Sequence, residues 1–231
     1  MEYIDAIQSA QSIEEVVEAA EQFAKVLGFD YVSYIHRPHT PFAEPKLTIR
    51  STYPKAWQNI YLGQEYFKYD PVVLHVKTST APLIWTAEGN FQSIPDLRED
   101  MAAFELNFGW CQATRNMAGT SMMSLSRPGE PMSQTEIHTH TPTLMWFTQV
   151  FNDALEKLIS TASVIDTEVH LTNREIDVMR WTSDGKTSNE ISVILGISER
   201  TVNFHLNNVM TKLDVNNRVA ATVKAISLSL I

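Results

Sequence analysis

Five polar side chains near the C-terminal end have the types and spacing of base recognition. Asn203, Asn207 and Thr211, with Asn208 and Lys212 beside them, recur at helical intervals in TVNFHLNNVMTKL. A carboxamide can pair with adenine N6 and N7 together, a contact worth about 1–3 kcal/mol when well aligned. The same segment places Val202, Leu206, Val209 and Leu213 at i, i+4, i+7 and i+11. That stripe is suited to burial and leaves the opposite face free. A free face of amides and hydroxyls with a lysine near its end suits a DNA major groove.

The neighbouring elements must hold that face in place. A preceding helix is expected to start near Thr187 or Ser188 and to bury Ile191, Ile194 and Leu195. Gly196-Ile197-Ser198 forms the turn, with Gly196 permitting a steep bend and Ser198 capping the next helix. Free amides at that helix start favour a phosphate. Arg200, Thr201 and His205 are candidate phosphate contacts, as are Thr187 and Ser188 one helix earlier and Lys212 at the far end. An earlier helix opens at Thr172, with Glu175 completing a capping box, and stops at Gly185. The alternative reading of this segment is a small helical bundle with a merely solvated polar face.

Composition narrows the field. The chain has 231 residues, 44% of them hydrophobic and 19% charged, enough for a sizeable core and too little charge for a disordered polyelectrolyte. The net charge of -9 argues against nucleic acid as partner of the whole surface. The charge is uneven: residues 1–170 carry 11 Lys+Arg against 21 Asp+Glu, and residues 171–231 carry seven against six. Only the C-terminal part is a plausible DNA-facing region, and two copies acting together would strengthen it. The single cysteine, Cys111, rules out a disulfide framework and fits a cytoplasmic setting. No apolar run is long enough to span a membrane, and MEYIDAIQSA is not a signal peptide.

The N-terminal part mixes helices and strands. Ser12 and Glu15 form a capping box for a helix to Leu27, ended by Gly28. Strands are expected at FDYVSYIHR, residues 47–52, residues 81–86, WCQATRN and TSMMSLSR. Helices are expected over 54–68, from Asp70-Pro71 to His75, and over 96–108 with Asp96 as cap. A long helix runs from Ser133, boxed by Glu136, to about Ser160, with Pro142 interrupting it so that the firm part is 143–160. The fold class is therefore α+β: an N-terminal α-β-α sandwich around an antiparallel sheet, then an all-α C-terminal helix-turn-helix domain. Domain limits are expected at 1–162 and 171–231, joined by a linker over 163–170.

LTNRE, WTSDGKTSNEI, ILGIS and TVNFHLNNVMTKL together resemble the four-helix DNA-binding domain of LuxR-type regulators. STYPKAW, Tyr61, YDPVV and LIWT resemble the autoinducer-binding domain of LuxR-type quorum-sensing receptors, and GFDYVSY and PFAEPK fit it too. The likeness covers nearly the whole chain. It implies an N-acyl homoserine lactone ligand, whose amide N–H and two carbonyls must each find partners, since an unpaired buried group costs about 1–3 kcal/mol. It further implies that Asp70 accepts from the ligand amide and Trp57 donates to the lactone carbonyl. Tyr53 and Ser124 would donate to the acyl carbonyl, Trp85 would wall in the lactone ring, and Tyr61 would line the acyl path. Read without the resemblance, Trp57 and Tyr61 are core aromatics at i, i+4, Asp70 is a helix cap, and Trp85 is a core strand residue. One stretch departs from the family: the hairpin in NFGWCQATRNMAGTSMMSLS is shorter than usual, although Gly109 matches the family glycine. Met117, Met122 and Met123 are candidates for the tail cavity or for ordinary core.

Other constellations carry less. Glu136, His138 and His140 lie two apart on a helix and do not converge on a metal. Cys111 has no partner that would make it a nucleophile, and no base-nucleophile pair accompanies Asp70, so no enzyme and no cofactor is expected. The resulting expectation is a ligand-responsive transcription factor that binds, as a homodimer, a pseudo-palindromic site on double-stranded DNA, with no membrane partner. The rival is a constitutive DNA-binding protein whose N-terminal domain serves association only.

Overall fold

The computed structural model describes residues 2–39, 47–116, 119–163 and 169–231. Two compact units divide the chain, one centred on residues up to Val164 and the other on Ile165–Ile231.

The first unit is built on a five-stranded sheet. Its strands are β1 (Tyr31–Pro38), β2 (Thr48–Ser51), β3 (Leu83–Thr86), β4 (Phe108–Arg115) and β5 (Gly119–Arg127). The order is β2-β1-β5-β4-β3, with antiparallel pairing of β1 to β2, β3 to β4 and β4 to β5. Strand side chains alternate between faces, and here each face has its own core. Val32, Tyr34, Trp110, Met123 and Leu125 join a cluster formed with helices α1 (Glu2–Ser9), α2 (Ile13–Val26) and α7 (Gln134–Ser163). Trp85, Cys111, Ala113 and Met122 join the opposite cluster. Its other walls come from α3 (Lys55–Gly63), α4 (Pro71–Thr78), α5 (Ala87–Asn90) and α6 (Pro95–Ala103). The result is the expected α-β-α sandwich.

Several local expectations are corrected. Helix α1 was not anticipated, because only Ile4 and Ile7 mark its buried face and both depend on packing against partner helices. Ser12 does accept from the Glu15 N–H at 3.2 Å, but the Glu15 carboxylate turns back to the N–H of Gln11. Helix α3 stops at Gly63; Glu65 adopts a left-handed φ of 54° before a 3-10 turn at Tyr66–Lys68. Ile94, not Asp96, occupies the cap of α6, with Pro95 at its first turn. That helix ends at Ala103, and Gly109 lies within β4. Pro142 does not interrupt α7. Ile137 before it and Leu144, Phe147, Phe151 and Leu155 after it pack on one cluster, which holds the helix continuous across the missing N–H. Met123 faces the α7 side and Met122 the second core; Met117 lies outside the described residues.

The second unit is helical: α8 (Asn173–Ser183), α9 (Ser188–Leu195), α10 (Glu199–Lys212) and α11 (Arg218–Ser227). Reciprocal capping boxes, Thr172 with Glu175 and Thr187 with Glu190, start the first two. Gly196 ends α9 at a φ of 64°, a left-handed turn that glycine adopts without strain. Val202, Leu206, Val209 and Leu213 are all buried with Val178, Met179 and Ile191. Ile194 is 44% exposed, contrary to expectation; the buried edge of α9 runs through Ser188, Ile191 and the partly covered Leu195, and Ile194 lies off it.

Candidate ligand site and nucleic-acid interface

The polar side chains singled out in the first unit gather in the second core. Trp57 on α3 is 6% exposed, and Tyr61, one turn on, stands with its ring centroid 5.6 Å from the indole. The Tyr61 hydroxyl donates to Asp70 Oδ2 at 2.7 Å. Asp70 caps α4 at the same time, its Oδ1 accepting from the N–H of Val72 at 2.7 Å. Cap and candidate ligand acceptor are thus one residue, with a different oxygen serving each neighbour. Burial raises the pKa of Asp70 above the usual carboxylate value, although the bonds from Tyr61, Val72 and Val73 oppose the rise. The Tyr61 phenol is raised as well, by burial and then by the adjacent carboxylate.

Tyr53 precedes α3 and stacks on Tyr31 of β1 at 5.4 Å. Its phenol is pushed up to about 12 by burial, while the nearby hydroxyls of Ser126 and Ser124 oppose the shift. Ser124 pairs in register with Cys111, and Ser126 with Gly109, so both point to this core. Ser126 Oγ is fully buried beside the Tyr53 phenol. Trp85 lies opposite Gly109 in register, packs edge-on against Phe91 at 5.8 Å, and has a buried indole N–H without a partner. A Cβ at position 109 would run into the Trp85 ring and the Leu125 carbonyl, which explains the glycine. The Cys111 thiol is pushed up to about 12 by burial, the state of an inert core thiol rather than a nucleophile. A buried indole N–H without an acceptor, in the core that also holds a buried carboxylate, is suited to a small ligand that carries carbonyls and an amide.

The sequence reading missed Tyr31 and Ser126 in this cluster. Period-two alternation was the available signal: Ser126 must share a face with Ser124.

In the second unit the expected contacts fall into two groups. Arg200, Asn207 and Thr187 are exposed, and Thr201 and His205 are half-buried. Ser198 accepts from the Thr201 N–H at 3.1 Å and so caps α10. Thr187 donates to Glu190 Oε2 at 2.8 Å, the Thr201 and Ser198 hydroxyls bond at 2.7 Å, and Ser188, Asn203 and Lys212 are engaged as well. Ser188 is 7% exposed and donates to Asn203 Oδ1 at 2.7 Å, while Arg218 donates to Ser188 at 3.3 Å. A bidentate adenine contact by Asn203 would use the second lone pair of that oxygen together with the amide N–H. Lys212 donates to Glu175 Oε2 at 2.7 Å and to the His170 carbonyl at 3.1 Å, which leaves one ammonium hydrogen for a phosphate. Phe204, unnoticed in sequence, stands exposed on the same helix. Among the described residues, no group of three or more His, Cys, Asp or Glu side chains is placed to hold a metal ion, and no helix is long and apolar enough to cross a membrane.

A sandwich that holds a buried carboxylate among aromatic rings in one core, carried on the same chain as a helix-turn-helix unit, has the layout of a sensor-linked DNA-binding protein. Comparison with known proteins makes this specific. Residues 12–155 match the autoinducer binding domain family, and residues 169–225 match the bacterial regulatory proteins of the luxR family. The transcriptional activator protein AnoR of Acinetobacter nosocomialis is 37% identical over 230 residues, covering 99% of this chain and 97% of that protein. The HTH-type quorum-sensing regulator RhlR of Pseudomonas aeruginosa is 32% identical, covering 97% of this chain and 93% of that protein. The crystal structure of Escherichia coli SdiA superposes with a TM-score of 0.78 at 30% identity, over 97% of this chain and 94% of SdiA. SdiA has also been solved in complex with octanoyl-rac-glycerol, with a TM-score of 0.77. The chain belongs to the LuxR family of autoinducer-binding transcriptional regulators.

Proposed function

We propose that this regulator binds an N-acyl homoserine lactone in the second core and, as a homodimer, a pseudo-palindromic site on double-stranded DNA. Asp70 accepts from the ligand amide N–H, Trp57 donates to the lactone carbonyl, and Tyr53 and Ser124 donate to the acyl carbonyl. Trp85 covers the lactone ring. Tyr61 lines the acyl path and, through its bond to Asp70, steadies the acceptor. The observation that carries this reading is the chain of contacts from Trp57 through Tyr61 to the buried carboxylate of Asp70. The octanoyl ligand of SdiA supports an acyl occupant.

Thr187, Ser188, Arg200, Thr201, His205 and Lys212 meet the DNA backbone, and Asn203 and Asn207 meet bases. Two such units side by side address half-sites about one helical turn apart. We assign residues 1–162 to ligand binding, 163–170 to a linker and 171–231 to DNA binding. The protein works in the cytoplasm, catalyses no reaction and uses no metal.

Thermal melting with lactones of graded chain length tests the sensor role. A ligand that binds only the native state raises the melting temperature by mass action, and Asp70→Asn is expected to remove most of that rise. Operator binding without ligand, unchanged in Asp70→Asn, would instead favour the constitutive regulator.

A further inference from the structure

The centre of the outward face of α10 is an aromatic ring. At about 100° per residue, Val202, Leu206, Val209 and Leu213 form one buried seam, and the positions most nearly opposite that seam are Phe204 and Thr211. The neighbours of Phe204 on the face are Arg200, Asn207 and Thr211, all exposed. Phe204 is 59% exposed, and its ring meets that of His205 at 5.7 Å in an edge-on arrangement. A phenyl ring held in water forgoes the benefit of burial, so a partner surface that covers it is favourable. The cation Arg200 on the same face, with no carboxylate at positions 203, 204, 207, 208 or 211, matches a polyanion better than an apolar protein surface.

Phe204 is the sixth residue of α10 and lies in its N-terminal half, the part of a recognition helix that reaches base edges. The bases show that helix hydrogen-bonding atoms and one apolar group, the 5-methyl of thymine. Resting on the DNA-binding reading above, we propose that Phe204 packs against a thymine 5-methyl in each half-site and specifies that base pair. Asn207, one turn further on, and Arg200, one turn before, flank the contact.

The test uses the full chain with its lactone. Bound duplexes are selected from a random pool, and each thymine in the selected site is then replaced in turn by deoxyuridine, which deletes only the methyl. One thymine per half-site is expected to show about fourfold weaker binding on replacement, the equivalent of about one buried methylene or 0.8 kcal/mol. Phe204→Ala is expected to weaken binding to the thymine duplex similarly and to become indifferent to that replacement. Phe204→Leu, which keeps an apolar side chain, should retain part of the discrimination and guards against loss of fold. If no replacement affects the wild type, or if wild type and Phe204→Ala respond alike, the assignment of Phe204 is wrong while DNA binding stands. If the pool yields no bound duplex, the DNA-binding reading itself falls, and the assignment with it.

Discussion

Tyr61 and Asp70, nine residues apart and separated by a helix end and a 3-10 turn, are joined by a hydrogen bond of 2.7 Å. The bond fixes the orientation of the one buried carboxylate in the candidate ligand site. It also stabilises the charged form of a group whose burial favours the neutral one.

Ligand affinity should therefore depend on pH. The folded pKa of Asp70 is raised, so in the free protein the carboxyl takes up a proton at a pH above that of an unfolded aspartate. The proposed amide bond needs the ionised form. Affinity should be constant above the raised pKa and fall, by up to about tenfold per pH unit, as pH drops through it. Titration of the lactone by calorimetry across this range checks the sign. A flat profile down to the ordinary carboxylate range would exclude Asp70 as the ionised acceptor.

Gly109→Ala should damage stability and the ligand site together. The added methyl runs into the Trp85 indole and the Leu125 carbonyl. Relief requires movement of β3 or β5, at a cost of about 1–3 kcal/mol. Chemical denaturation would measure the loss, and lactone-induced stabilisation should shrink in the same variant. A variant as stable as wild type would show that the indole yields freely.

Lys212→Met should have two separable effects. It strips the nearly buried Glu175 carboxylate of its cation, and a deprived buried group costs about 1–3 kcal/mol. It should also reduce the salt dependence of operator binding by about 0.9 in the log-log slope, the share of one phosphate contact. An unaltered slope would assign Lys212 to Glu175 alone.

Acid should weaken the same junction. Burial would raise the pKa of Glu175, but Lys212 and Thr172 outweigh it, and the folded value lies below the ordinary one. Stability from this group is present above the unfolded pKa and is lost as pH falls through the folded one. Denaturation at stepped pH should show Glu175→Gln with a shallower acid decline than wild type. Equal declines would remove Glu175 from the account.

Much of the frame was legible because its signals are local. Thr172 with Glu175 and Ser133 with Glu136 mark helix starts within four residues, and the glycine at 196 marks the turn, where the structure has a left-handed φ. The stripe from Val202 to Leu213 announced burial by spacing alone. What escaped depends on contacts distant in sequence. Ile137 and Leu144 have helical spacing across Pro142, but only the cluster formed with distant α1 and α2 shows that packing outweighs the proline. The bond between Tyr61 and Asp70 requires the left-handed step at Glu65, which favours no charged residue in advance. Engagement of Asn203 by Ser188 depends on how α9 crosses α10. Phe204 was passed over because an apolar residue on a polar face reads as an exception until its exposure is seen.

The alternation along β5 has an evolutionary corollary. A single codon change at Met122, Ser124 or Ser126 alters the sheet face proposed to meet the signal, while Met123 and Leu125 go on holding the far layer. Descendant lineages can thus drift in which message they answer without rebuilding the framework that lets them answer at all.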